Sequence, residues 1–379
     1  MKKKEGMSVV TSYHRPTQLI IDSDAIRQNM HQVKAHCQAA EDIFAVVKAN
    51  GYGHGAVPIA KIALEEGAKG CCVATIDEAI ELREAGITAP ILILGVVDVQ
   101  YLPIISTYEF AIPLATTQWL TEAIEWYTHT PWENNIALHM AVDTGMGRIG
   151  FTTIESICDT VSRVTASEGF FIEGIFTHFS TADEADQTYT KQQNQRFEEV
   201  LASLPSRPRY IHSANSASEL WQESEGNLIR YGIALYGLNP SGNTLALPYP
   251  LMPALELVSK VVQVKKVPKG SKIGYGATYE ALEDEWIATI PIGYADGYIR
   301  KMQGFHVLIE GQYCEIVGRV CMDQIMVRLP HEVPLDAPVV LVGEMNKKTI
   351  TLQDVATHIG TIHYEVACLF SERLPRIYK

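Results

Sequence analysis

A lysine closes an apolar stretch in Ala45-Val46-Val47-Lys48 and is followed at once by the glycine-rich run Ala49-Asn50-Gly51-Tyr52-Gly53-His54-Gly55. An amine at a strand end, its stem among apolar neighbours, is placed to condense with an aldehyde, and desolvation favours its neutral, nucleophilic form. Alone, Lys48 reads equally well as a surface lysine beyond a strand. The three alternate glycines lack the spacing of a dinucleotide fingerprint, and no acidic residue follows at the required distance. Farther along, Asn215-Ser216-Ala217-Ser218 has the form of a helix N-terminus whose free amides and hydroxyl suit an anion, and Arg230-Tyr231-Gly232-Ile233 follows on the next apolar run. Standing alone, Ser216 would be an ordinary cap and Gly232 a close-packing residue. Asp143-Thr144-Gly145-Met146-Gly147-Arg148-Ile149-Gly150 and Thr177-His178-Phe179-Ser180 add an arginine and a histidine, individually a surface ion pair and a structural imidazole. The turns Gly274 to Tyr279, Gly293 to Gly297 and Cys321 to Gln324 are rich in tyrosine and glycine, which turn chemistry and aromatic packing also explain.

These residues need a frame, and the periodicity supplies one. Short apolar segments, Ile43 to Lys48, Gly70 to Thr75, Ile91 to Gly95, Phe110 to Leu114, Ile136 to Asp143, Phe171 to His178, Tyr210 to Ala214 and Leu228 to Tyr236, alternate with amphipathic stretches such as Asp77 to Ala85, Gln118 to Tyr127 and Gln192 to Leu204. The class is α/β, and the repeat count and length predict an N-terminal (β/α)8 barrel, with an open doubly wound sheet as the alternative. In such a barrel the C-terminal strand ends form the active face, which puts Lys48, Arg148 and His178 on one mouth. The loops after strands seven and eight are the usual phosphate site there. A phosphate-bearing aldehyde cofactor, pyridoxal phosphate, then explains Lys48 and the Ser216 and Gly232 loops together. The proline-rich connector Leu247 to Pro253 marks a boundary. Beyond it, Leu255 to Val267, Trp286 to Ile292, His306 to Ile309, Tyr313 to Val320 and Val339 to Val342 read as strands, with only Leu352 to Ile359 clearly helical. The expected organisation is a tail over 1–17, a barrel over 18–250 and a smaller β-rich domain over 251–379.

At 379 residues the chain exceeds one ordinary core, and 47% hydrophobic composition describes a globular protein. A net charge of -13 argues against nucleic acid and anionic membrane as partners, since both need basic patches. No apolar run reaches membrane-spanning length, and Glu5-Gly6 follows Lys2 to Lys4 where a signal peptide would turn apolar. A cytoplasmic location is expected. Seven cysteines without a metal-ligand pattern predict reduced, mostly buried thiols and no metal site.

The runs from Ala45 to Gly55, Asp143 to Gly150, Gly274 to Tyr279 and Val320 to Gln324 resemble those of alanine racemases, in the family's order from about Ile20 to Arg376. The resemblance implies a pyridoxal-phosphate-dependent homodimer that interconverts L- and D-alanine and supplies D-alanine for cell-wall peptidoglycan. By that resemblance Lys48 anchors the cofactor and is the base on the D face, and Tyr275 of the opposite subunit is the base on the L face. Tyr52, Ser216, Gly232, Ile233 and Tyr364 match phosphate-binding positions, with Asn215 beside them. His178 matches the residue packed on the ring, Arg230 the arginine facing the pyridine nitrogen, and Arg148 the arginine beside the phenolic oxygen and the substrate. Met322 matches a substrate-carboxylate contact. Tyr294 narrows the entrance channel, with Asp183, Arg300, Arg319 and Asp323 around it, and a narrow entrance selects a small amino acid.

One position departs from the family pattern. Where many members carry a lysine that becomes carbamylated and supports the arginine, this chain has Ala141. The resemblance then implies either a chloride or other small anion near Arg148, or a less firmly placed arginine. Two other readings compete. A decarboxylase using the same cofactor would contribute a cysteine, for which Cys321 is available, but the Gly274 to Tyr279 turn speaks against it. A non-catalytic cofactor-binding barrel would lack the second domain.

Overall fold

The computed structural model describes residues 10–38, 41–222 and 226–379. The Lys2 to Lys4 run lies outside them. The chain divides into two compact units, one of Asp24–Pro253 and one combining the residues up to Ser23 with Ala254–Lys379.

In the first unit, eight parallel strands follow one another around a barrel: Asp42–Val46, Gly70–Val73, Ile91–Ile93, Ala111–Leu114, Ile136–Ala141, Phe170–Phe176, Tyr210–His212 and Leu228–Tyr231. The first pairs with both the second and the eighth, and an isolated bridge between Asn215 and Arg230 links the seventh segment to the eighth. All eight expected strands are present, each shorter than its apolar run, and in all but the fourth the run continues past the strand's C-terminal end into the loop. Strands such as Gly70–Val73 and Ile91–Ile93 are buried along their whole length, as a sheet covered on both faces requires. Helices start where side chains cap them. Thr75, Thr116 and Thr153 each accept a backbone N–H from the first turn of Ile76–Glu84, Thr117–His129 and Ile154–Thr165.

The second unit corrects the expected boundaries. Gln18–Ile21, assigned from sequence to the barrel, pairs antiparallel with Leu255–Lys260 and parallel with Arg376–Tyr378. That sheet continues through Pro338–Met345, His306–Ile309, Gln312–Val317, Ile325–Leu329 and Glu285–Ile290 to Gln263–Val267. The run expected as one strand from Leu255 to Val267 divides after buried Val261, whose N–H still reaches Ala337 O at 3.0 Å, while that of Val262 turns to Thr289 O at 3.0 Å. Residues 10–17 are not a loose tail: Arg15 forks onto the buried Asp296 carboxylate, 3.0 Å from Nη1 to Oδ2, and Thr17 donates to Pro291 O. A helix that the periodicity missed, His363–Leu369, follows Leu352–Ile359. It starts at Ile362, which offers no capping side chain to find. The thiols are less buried than expected: only Cys71, Cys72 and Cys314 are enclosed, and Cys368 is exposed.

Candidate active site

Lys48 leaves the first barrel strand half-buried at the C-terminal rim and opens the short turn Lys48–Tyr52. Ala49, Asn50, Gly51 and Tyr52 all have φ between 49 and 60°, a left-handed turn that costs each side-chain-bearing residue about 1 kcal/mol. The surroundings impose it. The Glu78 carboxylate accepts N–H groups from Ala49 at 2.7 Å, Ala74 at 2.7 Å and Thr75 at 3.3 Å, and Asn50 Oδ1 accepts that of Ala56 at 3.0 Å. Neither clamp was found from sequence, which placed Glu78 only within the amphipathic stretch Asp77 to Ala85.

The same turn delivers Tyr52 to the loop after the eighth strand. A Cβ added at Gly232 would lie 3.1 Å from Tyr52 Oη and 3.7 Å from Ser216 Oγ, so the hydroxyls of Tyr52 and Ser216 border space that only a glycine leaves open. Ser216 Oγ accepts the N–H of Gly232 at 2.9 Å. The expectation of free amides at the Asn215 to Ser218 helix start needs correction. Asn215 Oδ1 accepts the N–H groups of Ala217 at 2.9 Å and Ser218 at 3.0 Å, so Asn215 caps the turn and positions Ser216. What remains is a small cradle bordered by the hydroxyls of Tyr52 and Ser216, groups that fit a phosphate.

His178, at the end of the sixth strand, is the electrostatic centre of the mouth. Burial, reinforced by the positive charges of Arg230, Arg148 and Lys48, pushes its pKa down to about 3, so the ring is neutral. Burial also draws Arg230 down to about 10, leaving it charged at neutral pH. Arg230, Arg148 and Lys48 thus lie close enough to act on one neutral imidazole in a chain whose net charge is -13, and a rim with two arginines suits anionic groups. Arg148 is exposed on its glycine-rich loop, whose Asp143 Oδ1 accepts from Gly145 and Gly147. Buried Gln193, missed from sequence, ties this loop to the next through Thr144 Oγ1 at 3.3 Å and His178 O at 3.2 Å. Ala141 is enclosed in an apolar cluster with Ala115, Phe176 and Ile149. Asp183 lies half-buried after the sixth strand.

In the other unit, Tyr275 stands 70% exposed on a tight turn in which Gly274, Gly276 and Ala277 all have positive φ. A Cβ at Gly276 would come within 2.9 Å of the Arg319 guanidinium, so Arg319 braces that turn. From Arg319 the chain runs directly to Met322 and Asp323. Tyr294 N–H donates to Cys321 O at 3.1 Å and Ala295 N–H to Met322 O at 3.0 Å, joining the Tyr294 turn to the same loop. Arg300 acts electrostatically on Cys321, and Asp323 accepts from Arg373 at 2.8 Å. This unit therefore gathers Tyr275, Tyr294, Arg300, Arg319, Met322 and Asp323 on adjoining turns, with three large side chains, Tyr275, Tyr294 and Met322, turned to the surface. Tyr364 is half-buried on the helix His363–Leu369.

Comparison with known proteins is consistent with both units. The family model described as alanine racemase, N-terminal domain, matches residues 21–240, and the one described as alanine racemase, C-terminal domain, matches residues 254–378. An alanine racemase of Lactiplantibacillus plantarum is 50% identical over 372 residues, covering 98% of this chain and 99% of that protein. The crystal structure of alanine racemase from E. faecalis superimposes with a TM-score of 0.96 at 53% identity, over 98% of this chain and 100% of that one. The Bacillus anthracis alanine racemase, solved with bound L-Ala-P, gives a TM-score of 0.93 at 42% identity over 97% and 96%.

Proposed function

The chain belongs to the alanine racemase family, so its activity is the interconversion of L- and D-alanine with pyridoxal phosphate, and from that premise we propose that Lys48 and Tyr275 move the proton on opposite faces of Cα. Inverting a carbon centre by proton transfer needs one group to remove a proton and another to return it from the far side. The observation that carries this reading is the rim itself, with Lys48, Arg148 and Arg230 around a neutral His178 and the hydroxyl cradle at Ser216 beside them.

When bound, pyridoxal phosphate supplies an aldehyde that condenses with an amine and a ring that draws electron density from Cα. Lys48 anchors it and carries the proton on one face. Tyr52, Ser216, Gly232 and Ile233 hold its phosphate, with Tyr364 as a further ligand, while Asn215 keeps Ser216 in place. His178 packs on the ring as a neutral surface. Arg230 has only donors, so any ring nitrogen it faces must accept and stay unprotonated, which restrains side reactions. Arg148 attracts the phenolic oxygen and the substrate carboxylate, and the backbone N–H of Met322 holds that carboxylate from its own turn. Tyr294, with Asp183, Arg300, Arg319 and Asp323, narrows the entrance to a small amino acid.

Tyr275 acts from the partner subunit of a homodimer, which accounts for its exposure on the unit described above. Among the described residues no helix is long and apolar enough to cross a membrane. We propose, from the family alone, a cytoplasmic enzyme that supplies D-alanine for wall precursors. Purified protein given pyridoxal phosphate is expected to erase the optical rotation of either alanine enantiomer without releasing carbon dioxide. Carbon dioxide release, with alanine left unracemised, would favour the decarboxylase reading instead.

Ala141 cannot form a carbamate, and we infer that a chloride or other small anion balances Arg148. Exchanging chloride for gluconate at matched ionic strength is expected to lower Tm and kcat/KM together. At an anion concentration of about 100 times its Kd, the stabilisation lost would be about 2.7 kcal/mol. Identical melting and kinetics in both salts would remove the anion from the account.

A further inference from the structure

Behind the rim, a row of buried polar groups runs through the barrel interior away from Arg230. One guanidinium nitrogen of Arg230 lies 2.6 Å from His212 Nδ1 and donates to His212 O at 2.7 Å, while the other donates to Thr177 O at 2.8 Å. His212 Nε2 lies 2.8 Å from His139 Nδ1, and His139 Nε2 lies 3.2 Å from Glu173 Oε2. Both histidines are fully buried, and the Glu173 side chain is 16% exposed beside Arg209.

The chemistry of these atoms leaves one arrangement of protons. A guanidinium has no acceptor, so His212 Nδ1 must present its lone pair and carry its proton on Nε2. That proton points at His139 Nδ1, which must also be a lone pair, so His139 is protonated on Nε2 and donates to Glu173. Burial lowers the pKa of both histidines, that of His212 well below its ordinary value, so both rings are neutral. The row therefore runs in one direction, from a buried cation through two neutral rings to a carboxylate.

The backbone is adapted to it. Pairing between the fifth and sixth strands slips at this point: Leu138 pairs with Ile172 but His139 with Gly174, leaving Glu173 as the extra residue of a bulge that aims its side chain out of register. Gly174 supplies the room, since a Cβ there would meet His139 Nδ1 at 2.4 Å.

We propose that Glu173 is a positioning residue for Arg230, acting through His139 and His212 to fix their tautomers and hold the guanidinium in one orientation. Its functional part rests on the reading that Arg230 faces the cofactor ring. Buried ionic rows of this kind stabilise weakly but set orientation, as outer partners do for metal-bound histidines.

Nitrogen-15 NMR of the holoenzyme labelled on histidine tests the row before any variant is made. His139 and His212 are both expected as neutral rings protonated on Nε2, and an Nδ1-protonated or cationic form of either overturns the proposal. Glu173→Leu removes the terminal acceptor, and Glu173→Gln keeps an acceptor without its charge. Glu173→Leu is expected to disturb the His139 signal, shift the visible absorbance of the bound cofactor and lower kcat about tenfold at little changed KM. Glu173→Gln should retain both tautomers and most of kcat. Arg230→Lys separates the two layers of the argument. If it shifts the absorbance while Glu173→Leu leaves absorbance and histidine signals unchanged, the relay is wrong. If neither Arg230→Lys nor Glu173→Leu moves the absorbance although the His139 signal changes, the placement of Arg230 against the ring fails, and with it the functional part.

Discussion

Lys48→Ala is expected to abolish racemisation and the visible absorbance of the covalently held cofactor. The loss should exceed about a thousandfold, because on the proposed assignment one substitution removes both the covalent anchor and a proton-transfer group. The barrel unit offers no substitute. Its other lysines are Lys34, Lys61 and Lys191 on helices, and Lys69, which precedes the second strand at the opposite end of the barrel. Nor can a neighbouring amine swing in easily, since the turn after Lys48 is clamped to Glu78 and Asn50 and aims one side chain. A folded Lys48→Ala protein that keeps the absorbance band would overturn the cofactor assignment. The same protein keeping activity without the band would overturn the role of Lys48 in proton transfer.

What the sequence made legible followed from local physics. The eight barrel strands were readable because each is an apolar run bounded by turn residues, Lys48, Arg148 and His178 because each sits at or beyond the end of such a run, and Arg230 because it is a charge inside one. Gln18–Ile21 was misplaced because its partners, Leu255–Lys260 and Arg376–Tyr378, lie at the other end of the chain, and strand pairing across such a distance leaves no periodic mark. The left-handed turn was half readable: Gly51, Gly53 and Gly55 announced a special backbone, but Ala49 and Tyr52 adopt positive φ only because tertiary contacts impose it. Asn215 was recognised as part of a helix start, but the atom it uses to cap that start became clear only from the geometry. Glu78, Gln193 and Glu173 escaped for one reason. Each acts through at least one hydrogen bond to a residue on another element, and no local sequence pattern predicts that contact.

The central claim is that one active site needs two chains, Lys48 of one subunit and Tyr275 of the partner subunit. In a two-fold dimer such a contact occurs twice, so a subunit alone would lack a complete catalytic pair. Two inactive variants, Lys48→Ala and Tyr275→Phe, test this when unfolded together in equal amounts and refolded so that subunits exchange. In each mixed dimer one site inherits both defects and the other neither. With random pairing half the dimers are mixed and half of their sites intact, so about a quarter of the wild-type activity should return. If mixed dimers demonstrably form and no activity returns, the two residues do not meet across the interface, and the assignment of Tyr275 as the second base is contradicted.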